Sequence, residues 1–223
     1  MKKSLSFVLL LFLFFGALFS EHAVAQDIAD KVVLMKTTSG NIKIKLYKET
    51  PLHQENFLNH VKNNFYNNLL FHLVMDNFIQ AGDPLSKNAP IDTRLGSGNP
   101  GYYIPSEIKP NLYFKKGAIA AARTRNNPDK QSSGSQFFIV KGYEYTSQQL
   151  QNMEQTGSHT KFSDNQIKDY TSIGGRPDLD NKYTVFGEVI EGMETVEKIL
   201  SYETNQFNRP LKDVKIISIT LIK

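Results

Sequence analysis

This sequence of 223 residues contains no clear cluster of the side chains that form covalent intermediates or hold metals. Cysteine is absent, which excludes a disulfide. Beyond residue 25 the histidines are His53, His60, His72 and His159. No two of them are spaced by four residues and none has a cysteine nearby, so the pattern gives little support to a metal site.

A serine cluster and a glycine-rich segment are the other candidates for chemistry. The cluster at 132–135 could include a nucleophile, but Ser135 is followed by Gln136 rather than by the glycine of a G-x-S-x-G turn, and residue order alone assigns no Ser/His/Asp set. The segment Gly96–Gly101 (GSGNPG) satisfies G-x-G-x-x-G, yet Pro100 lies within it and no helix is predicted to begin there. We therefore predict a turn-rich loop, and we expect no cofactor.

Two longer segments, Phe71–Asp83 (FHLVMDNFIQAGD) and Gly117–Val140 (GAIAAARTRNNPDKQSSGSQFFIV), carry more information. Together they resemble the signature stretches of cyclophilin-type peptidyl-prolyl isomerases, and the run Gly134–Phe138 (GSQFF) is the most specific part of the match. The likeness extends from about residue 32 onward. It implies a fold dominated by β-structure, namely a closed eight-stranded antiparallel cyclophilin-like barrel capped by two helices.

Prolyl isomerisation would require an unusual kind of site. Rotation about an amide bond faces a barrier of about 18–20 kcal/mol because resonance must be broken. No bond to another atom forms or breaks, so neither a nucleophile nor a base is needed. The site must hold the proline ring in an apolar pocket, fix the neighbouring carbonyl group, and donate a hydrogen bond to the prolyl nitrogen as it loses conjugation.

The resemblance assigns roles to individual residues of this chain. As catalytic residues it implies Gln80 and Gln136, whose amides would contact the substrate backbone. We add Arg123, with the hypothesis that its guanidinium partly replaces a missing arginine; the alternative is an arginine that faces solvent and merely lines the groove. The implied substrate-binding residues are Phe78, Ile79, Ala122, Thr124, Phe138, Leu179 and Tyr183.

At one position the chain departs from the family in a way that affects the expected activity but not the expected fold. The resemblance implies an arginine at the position of Leu73, and leucine donates no hydrogen bond. Loss of one preorganised donor costs about 3–4 kcal/mol of transition-state stabilisation. Two functions therefore remain open: an isomerase, with reduced activity, that acts on X-Pro bonds of proteins in the cell envelope, and a non-catalytic chaperone or adaptor that binds proline-containing peptides. We favour the isomerase.

Alternation and spacing predict the elements that would position these residues. Apolar and polar residues alternate through Lys31–Thr38 and Asn41–Tyr47, which indicates a hairpin with one solvated face. Thr50 and Pro51 predict the cap and first turn of a helix over 51–63, and a second helix is predicted over 192–201. The polar stretch 141–176 matches no barrel element. We interpret it as a surface insertion with a short helix at 147–155.

The N-terminal residues have the features of a secretory signal peptide. Lys2 and Lys3 precede an apolar run over Phe7–Phe19, and small residues lead to a predicted cleavage site after Ala25. We therefore divide the chain into a signal peptide, 1–25, and a cyclophilin-like domain, 26–223. This organisation predicts a periplasmic or secreted protein with no stable membrane insertion once the signal is removed.

The charge balance limits the classes of partner. The chain has 26 basic and 22 acidic residues, a formal charge of +4, and the basic residues are spread along the sequence rather than clustered. This pattern argues against nucleic-acid binding. The expected partners are proline-containing unfolded or extended polypeptides, and we expect a monomer.

Overall fold

A computed structural model describes residues 29–75 and 77–223 of the chain. The predicted signal peptide lies outside the described residues. Within those two ranges, no helix combines the length and apolar character that crossing a membrane requires.

The described residues form ten strands and four α-helices. The strands are β1 (Lys31–Thr37), β2 (Gly40–Leu46), β3 (Leu73–Met75), β4 (Phe78–Ala81), β5 (Tyr103–Ile104), β6 (Ala118–Ala121), β7 (Ser132–Ser133), β8 (Phe137–Val140), β9 (Val185–Glu191) and β10 (Ile216–Leu221). The helices are α1 (Pro51–Lys62), α2 (Ser147–Gln155), α3 (Asp164–Ser172) and α4 (Met193–Leu200).

Eight of these strands form one antiparallel sheet in the order β10-β1-β2-β9-β6-β8-β4-β3, and β5 pairs with β7. The prediction of a closed barrel is wrong, because the sheet is curled and β3 and β10 remain its two edges. Strand β3 has only three residues. The residues just before it, 69–71, lie beside the start of β10 but are not part of a strand. There the backbone N–H of Phe71 donates to Val214 (2.9 Å), and that of Ile216 donates to Leu69 (2.9 Å).

The predicted N-terminal hairpin is confirmed as β1 and β2. Its alternating apolar side chains Val33, Met35, Ile42 and Ile44 are fully buried in the main core. Burial of such side chains gives about 1.5–3 kcal/mol each, which explains why the alternation fixes the face that each residue occupies.

The two predicted helices are confirmed as α1 and α4, although α1 is capped in an unexpected way. The Thr50 side chain makes no capping hydrogen bond. Instead, the carboxylate of Glu107, from a distant loop, accepts hydrogen bonds from the backbone N–H groups of Leu52 (3.1 Å) and His53 (3.0 Å). A carboxylate at this end of a helix also interacts favourably with the helix dipole.

The inserted segment, residues 141–176, is more ordered than predicted. It contains the predicted helix α2 and a second helix, α3, and each begins with a capping box. A small core of Leu150, Phe162 and Tyr170 lies between them. Ser163 and Gln166 form the capping box of α3, and this S-x-x-Q spacing was the sequence signal that could have predicted the helix.

Candidate active site

An aromatic cluster centred on Phe138 lies on the face of β8 opposite the main core, and it is called the aromatic pocket below. The Phe138 ring centroid is 5.6 Å from that of Phe78, 5.5 Å from that of Tyr183 in an edge-to-face arrangement, and 5.8 Å from that of Phe114, which is nearly parallel to it. The partly buried side chains packed against this cluster are Phe78, Leu112, Ala122, Leu179 and Tyr183. The structure therefore brings together five of the predicted substrate-binding residues.

Four residues define the aromatic pocket: Phe78, Phe138, Leu179 and Tyr183, with Phe114 behind them. Strand alternation explains why Phe138 faces it. The neighbouring Phe137 faces the main core, so Phe138 faces the opposite side of the sheet. The sequence analysis missed Phe114, because the short apolar run Leu112–Phe114 lies in a loop and carries no periodic signal.

Ile79 is not part of this pocket. Its side chain is fully buried in the main core, between the two residues of β4 that face the groove, so the prediction that it contacts substrate is wrong. Phe78 and Gln80 share the groove face instead. Their partners on β3 are Met75 and Leu73, respectively, which places Leu73 directly across from Gln80.

Two glutamines form a hydrogen-bonded pair beside the pocket. The Gln80 side-chain amide donates to Oε1 of Gln136 (2.9 Å), and Nε2 of Gln136 donates to the carbonyl oxygens of Gly96 (3.0 Å) and Gly98 (2.6 Å). Both donor hydrogens of Gln136 are thereby used. Gln136 holds the glycine-rich loop in place, and Gln80 retains one N–H and its carbonyl oxygen without a partner in the described part of the chain.

The glycine-rich loop is also fixed by a buried carboxylate. Asp83 accepts hydrogen bonds from the backbone N–H groups of Gly96, Gly98 (3.3 Å) and Leu85 (2.7 Å). A Cβ atom on Gly98 would lie only 1.9 Å from Oδ1 of Asp83, so this position needs glycine. The G-x-G-x-x-G spacing therefore reflects a tight loop around Asp83, in agreement with the predicted turn-rich loop.

Arg123 lies at the rim of the pocket, over its Tyr183 wall. The guanidinium carbon is 4.9 Å from the Tyr183 ring centroid, and Nε donates to the carbonyl oxygen of Lys182 (2.8 Å). Nη1 donates to the carbonyl oxygen of Thr124 (3.2 Å), whose side chain is exposed. The arginine is thus tied to the backbone of the rim, and its contacts do not include Gln80.

The backbone around Arg123 defines where an extended peptide could pair. The N–H of Ala122 donates to Gln136 (2.9 Å), and the carbonyl oxygen of Ala122 accepts from Ser133 (2.7 Å). Ala122 therefore has no backbone group left for a peptide and lines the groove only with its methyl group. The backbone N–H and carbonyl of Arg123 have no hydrogen-bond partner among the residues described.

Residues His53, Glu107 and Ser132 form a chain of hydrogen bonds with the connectivity of a catalytic triad. His53 Nδ1 is 2.6 Å from the Glu107 carboxylate, and Nε2 is 2.9 Å from Ser132 Oγ. Ser132 is 1% exposed and His53 is 2% exposed, so no substrate can reach the hydroxyl group. The set instead links α1 to β7, and residue order alone could not have revealed it.

The charge of Glu107 is stabilised by these contacts. Burial alone would raise the pKa of its carboxyl group. Hydrogen bonds from the side chain and backbone of His53 and from the N–H of Leu52 outweigh burial and lower the pKa below its usual value. The capping contact at α1 is therefore that of an ionised carboxylate.

Comparison with known proteins gives a consistent assignment. The model of the family described as "Cyclophilin type peptidyl-prolyl cis-trans isomerase/CLD" matches residues 32–221. A Staphylococcus saprophyticus protein is 33% identical over 196 residues, which cover 86% of this chain and 91% of that protein. A Staphylococcus aureus (strain COL) protein is 35% identical over 192 residues, covering 84% and 89%. Both are provisionally named peptidyl-prolyl cis-trans isomerases.

Solved structures show the same fold. A crystal structure of a Cryptosporidium parvum cyclophilin type peptidyl-prolyl cis-trans isomerase superposes with a TM-score of 0.64 at 24% identity, covering 87% of this chain and 98% of that one. A second crystal structure of that isomerase, in the presence of the dipeptide Ala-Pro, has a TM-score of 0.61 at 23% identity, with coverages of 86% and 99%. On the family match, the curated relatives and this shared fold, the chain belongs to the cyclophilin type peptidyl-prolyl cis-trans isomerase family.

Proposed function

We propose that this protein is a peptidyl-prolyl cis-trans isomerase that binds proline in the aromatic pocket around Phe138. The observation that carries the proposal is the position of this pocket beside the Gln80–Gln136 pair, in a chain of an isomerase family. The Cryptosporidium parvum isomerase, crystallised in the presence of Ala-Pro, supports a proline-containing substrate for the same fold.

The groove supplies the functions that rotation about a prolyl amide requires. Phe78, Phe138 and Tyr183 can enclose the proline ring of a substrate. The unpaired backbone groups of Arg123 can fix the peptide on one side of the prolyl amide. Rotation then occurs on the other side of the amide bond. Enclosing the ring also removes water that would stabilise the planar amide by hydrogen bonding to its carbonyl oxygen.

We assign the hydrogen bond to the prolyl nitrogen to Gln80. Its amide keeps one N–H after donating to Gln136, and it lies directly across from Leu73, which has no donor. A neutral amide is a weaker donor than a guanidinium, because hydrogen bonds from charged groups are about twice as strong. This assignment predicts an active enzyme with reduced turnover, and Arg123 acts mainly as part of the rim.

Two-dimensional NMR exchange on a short X-Pro peptide tests this function. The protein from residue 26 onward should accelerate cis–trans exchange, and Leu73→Arg should accelerate it further, by about tenfold to a hundredfold, because it adds a charged donor beside Gln80. Ile217→Arg is the control: it adds the same charge at an exposed position of β10, outside the aromatic pocket, and should leave the rate near that of the parent.

The three outcomes of this experiment separate the functions. Acceleration by the parent supports the isomerase. Acceleration by Leu73→Arg alone would indicate the second candidate, a module that binds proline peptides without turning them over, which is favoured by the absence of a donor at Leu73. If neither protein accelerates exchange, both the isomerase and the assignment of the groove are wrong.

We also propose that the protein acts in the cell envelope or outside the cell, after removal of residues 1–25. The support is the sequence of that segment, in which two lysines precede an apolar run and small residues precede the predicted cleavage site. N-terminal sequencing of the protein from cell fractions tests this proposal. A mature chain that begins near Gln26 in the envelope or medium is the expected result, and an intact Met1 in the cytoplasm would contradict it.

A further inference from the structure

The carboxylate of Asp180 lies between the inserted segment and the aromatic pocket. It is 6% exposed. On the side of the inserted segment, the hydroxyl of Tyr170 donates to both of its oxygens (2.8 and 2.7 Å), Nε2 of Gln166 donates to Oδ2 (3.1 Å), and Nε2 of His159 is 3.0 Å from Oδ2. Side chains from α3 and from the loop before it thus converge on one carboxylate outside the segment.

The same carboxylate is connected to the aromatic pocket in two ways. Oδ1 accepts a hydrogen bond from the backbone N–H of Phe114 (2.9 Å), whose ring stacks on Phe138. Along the chain, Asp180 follows Leu179 directly and precedes Tyr183 by three residues, and both of these side chains pack against the pocket. A displacement of Asp180 would therefore move Phe114 at the back of the pocket and the wall formed by Leu179 and Tyr183.

This arrangement leaves the carboxylate little freedom. Burial raises the pKa of Asp180, which means that the surroundings disfavour its charge despite the hydrogen bonds it receives. Loss of any one donor would leave a buried carboxylate less well satisfied, and that is more costly than losing a hydrogen bond at the surface. The position of Asp180 consequently depends on the donors of the inserted segment.

The inserted segment is itself a packed unit that can hold these donors in place. The His159 ring stacks on Phe162 with centroids 3.8 Å apart, and Tyr170 is fully buried. Gly175 passes so close to the pocket side that a Cβ atom there would lie 2.2 Å from the carbonyl oxygen of Phe114 and 2.5 Å from the Tyr170 ring. The segment is therefore docked against the pocket and does not project freely into solvent.

We propose that the inserted segment, residues 141–176, is a positioning element for the proline site, and that Asp180 is the positioning residue through which it sets the Leu179–Tyr183 wall. The proposal rests on the proposed function of the aromatic pocket. It assigns to the inserted segment a role in substrate affinity, because the segment fixes the wall without touching the groove residues Gln80 and Gln136.

Two tyrosine-to-phenylalanine variants test this role against general stability. Tyr170→Phe removes the hydroxyl that donates to Asp180. Tyr113→Phe is the matched control, because its hydroxyl donates to Asp169 Oδ2 (2.7 Å), a carboxylate on α3 that does not reach the pocket. Each variant removes one hydroxyl from the same small core and leaves its ring in place.

The expected result is a change in affinity without a change in turnover. Tyr170→Phe should raise KM for an X-Pro peptide by about threefold to tenfold, the equivalent of one hydrogen bond, and leave kcat within about twofold. Amide hydrogen exchange in residues 177–184 should become faster. Tyr113→Phe should change neither KM nor exchange in that stretch.

Binding of the dipeptide Ala-Pro, followed by NMR shifts, separates this proposal from the isomerase activity. If the parent shows no turnover, the proposed isomerase fails, but a weaker Kd for Ala-Pro in Tyr170→Phe than in Tyr113→Phe would still support the positioning role. Equal affinity and equal exchange in Tyr170→Phe and the parent would overturn it. Equal weakening in the two variants would also overturn it, since general loosening of the inserted segment would then be the cause.

Discussion

The role of Gln136 as the holder of the glycine-rich loop leads to a quantitative prediction for Gln136→Glu. The substitution nearly preserves shape, and one carboxylate oxygen can still accept from Gln80. The other replaces the Nε2 group that donates to Gly96 and Gly98. Two hydrogen bonds are therefore lost, and an acceptor faces two carbonyl oxygens.

The magnitude follows from those contacts. Each lost hydrogen bond contributes about 1 kcal/mol net, and a buried carbonyl oxygen left without a donor adds to the cost. Gln136 is 5% exposed, so water replaces the donors only in part. We expect the free energy of unfolding to fall by about 2–4 kcal/mol, which a domain with a typical stability of about 5–15 kcal/mol survives.

Urea unfolding followed by circular dichroism at pH 7 measures this loss. A decrease of that size corresponds to a midpoint lower by about 1 M urea. Lowering the pH should restore part of the stability, because the introduced carboxyl group regains one donor when it is protonated. Gln148→Glu, on the exposed face of α2, is the control and should change the free energy of unfolding by less than about 0.5 kcal/mol. An unchanged midpoint for Gln136→Glu would refute the role of this amide in holding the loop.

Two further predictions concern the pocket and the cap of α1. Phe138→Ala removes the ring on which Phe78 and Tyr183 pack, so it should lower the free energy of unfolding by about 3–5 kcal/mol in calorimetry and abolish detectable binding of a proline peptide; retained binding would contradict the pocket assignment. Because its contacts lower the pKa of Glu107, that carboxylate stabilises the fold above its unfolded pKa of about 4.5 and loses this contribution as the pH falls through the folded value. Glu107→Gln should therefore unfold more easily at pH 7 and show a flatter dependence of stability on pH below 4.5 in chemical denaturation; parallel curves for variant and parent would show that the group does not contribute.

Local sequence patterns predicted the strands and helices that have one buried face and one solvent-exposed face. Alternation predicted the hairpin of β1 and β2, Pro51 and the apolar spacing predicted α1, and apolar spacing alone predicted α4. The resemblance, and not the spacing of apolar residues, assigned Phe138 to the pocket, and strand alternation explains why its ring faces away from the main core. The error at Ile79 arises because a resemblance aligned by position does not specify which face of β4 each residue occupies.

Contacts between distant segments escaped the sequence analysis. Glu107 caps α1 across more than fifty residues, and Asp180 gathers donors from α3; neither carboxylate has a local pattern that distinguishes it from a surface residue. Closure of the sheet was predicted wrongly for a related reason. Whether two edge strands meet depends on where each one ends in space, and the length of β3 is not encoded in its apolar character alone.

The position of β1 between β2 and β10 determines when this chain can finish folding. Val33 is paired with Leu221, and the backbone N–H of Val32 donates to the carbonyl oxygen of Lys223 (2.9 Å). The first strand of the sheet therefore cannot complete its pairing before the last strand is available. Contacts between residues that are far apart in the sequence slow folding. A polypeptide emerging from the ribosome cannot complete this sheet until β10 has emerged, so β1 keeps one unpaired edge until then.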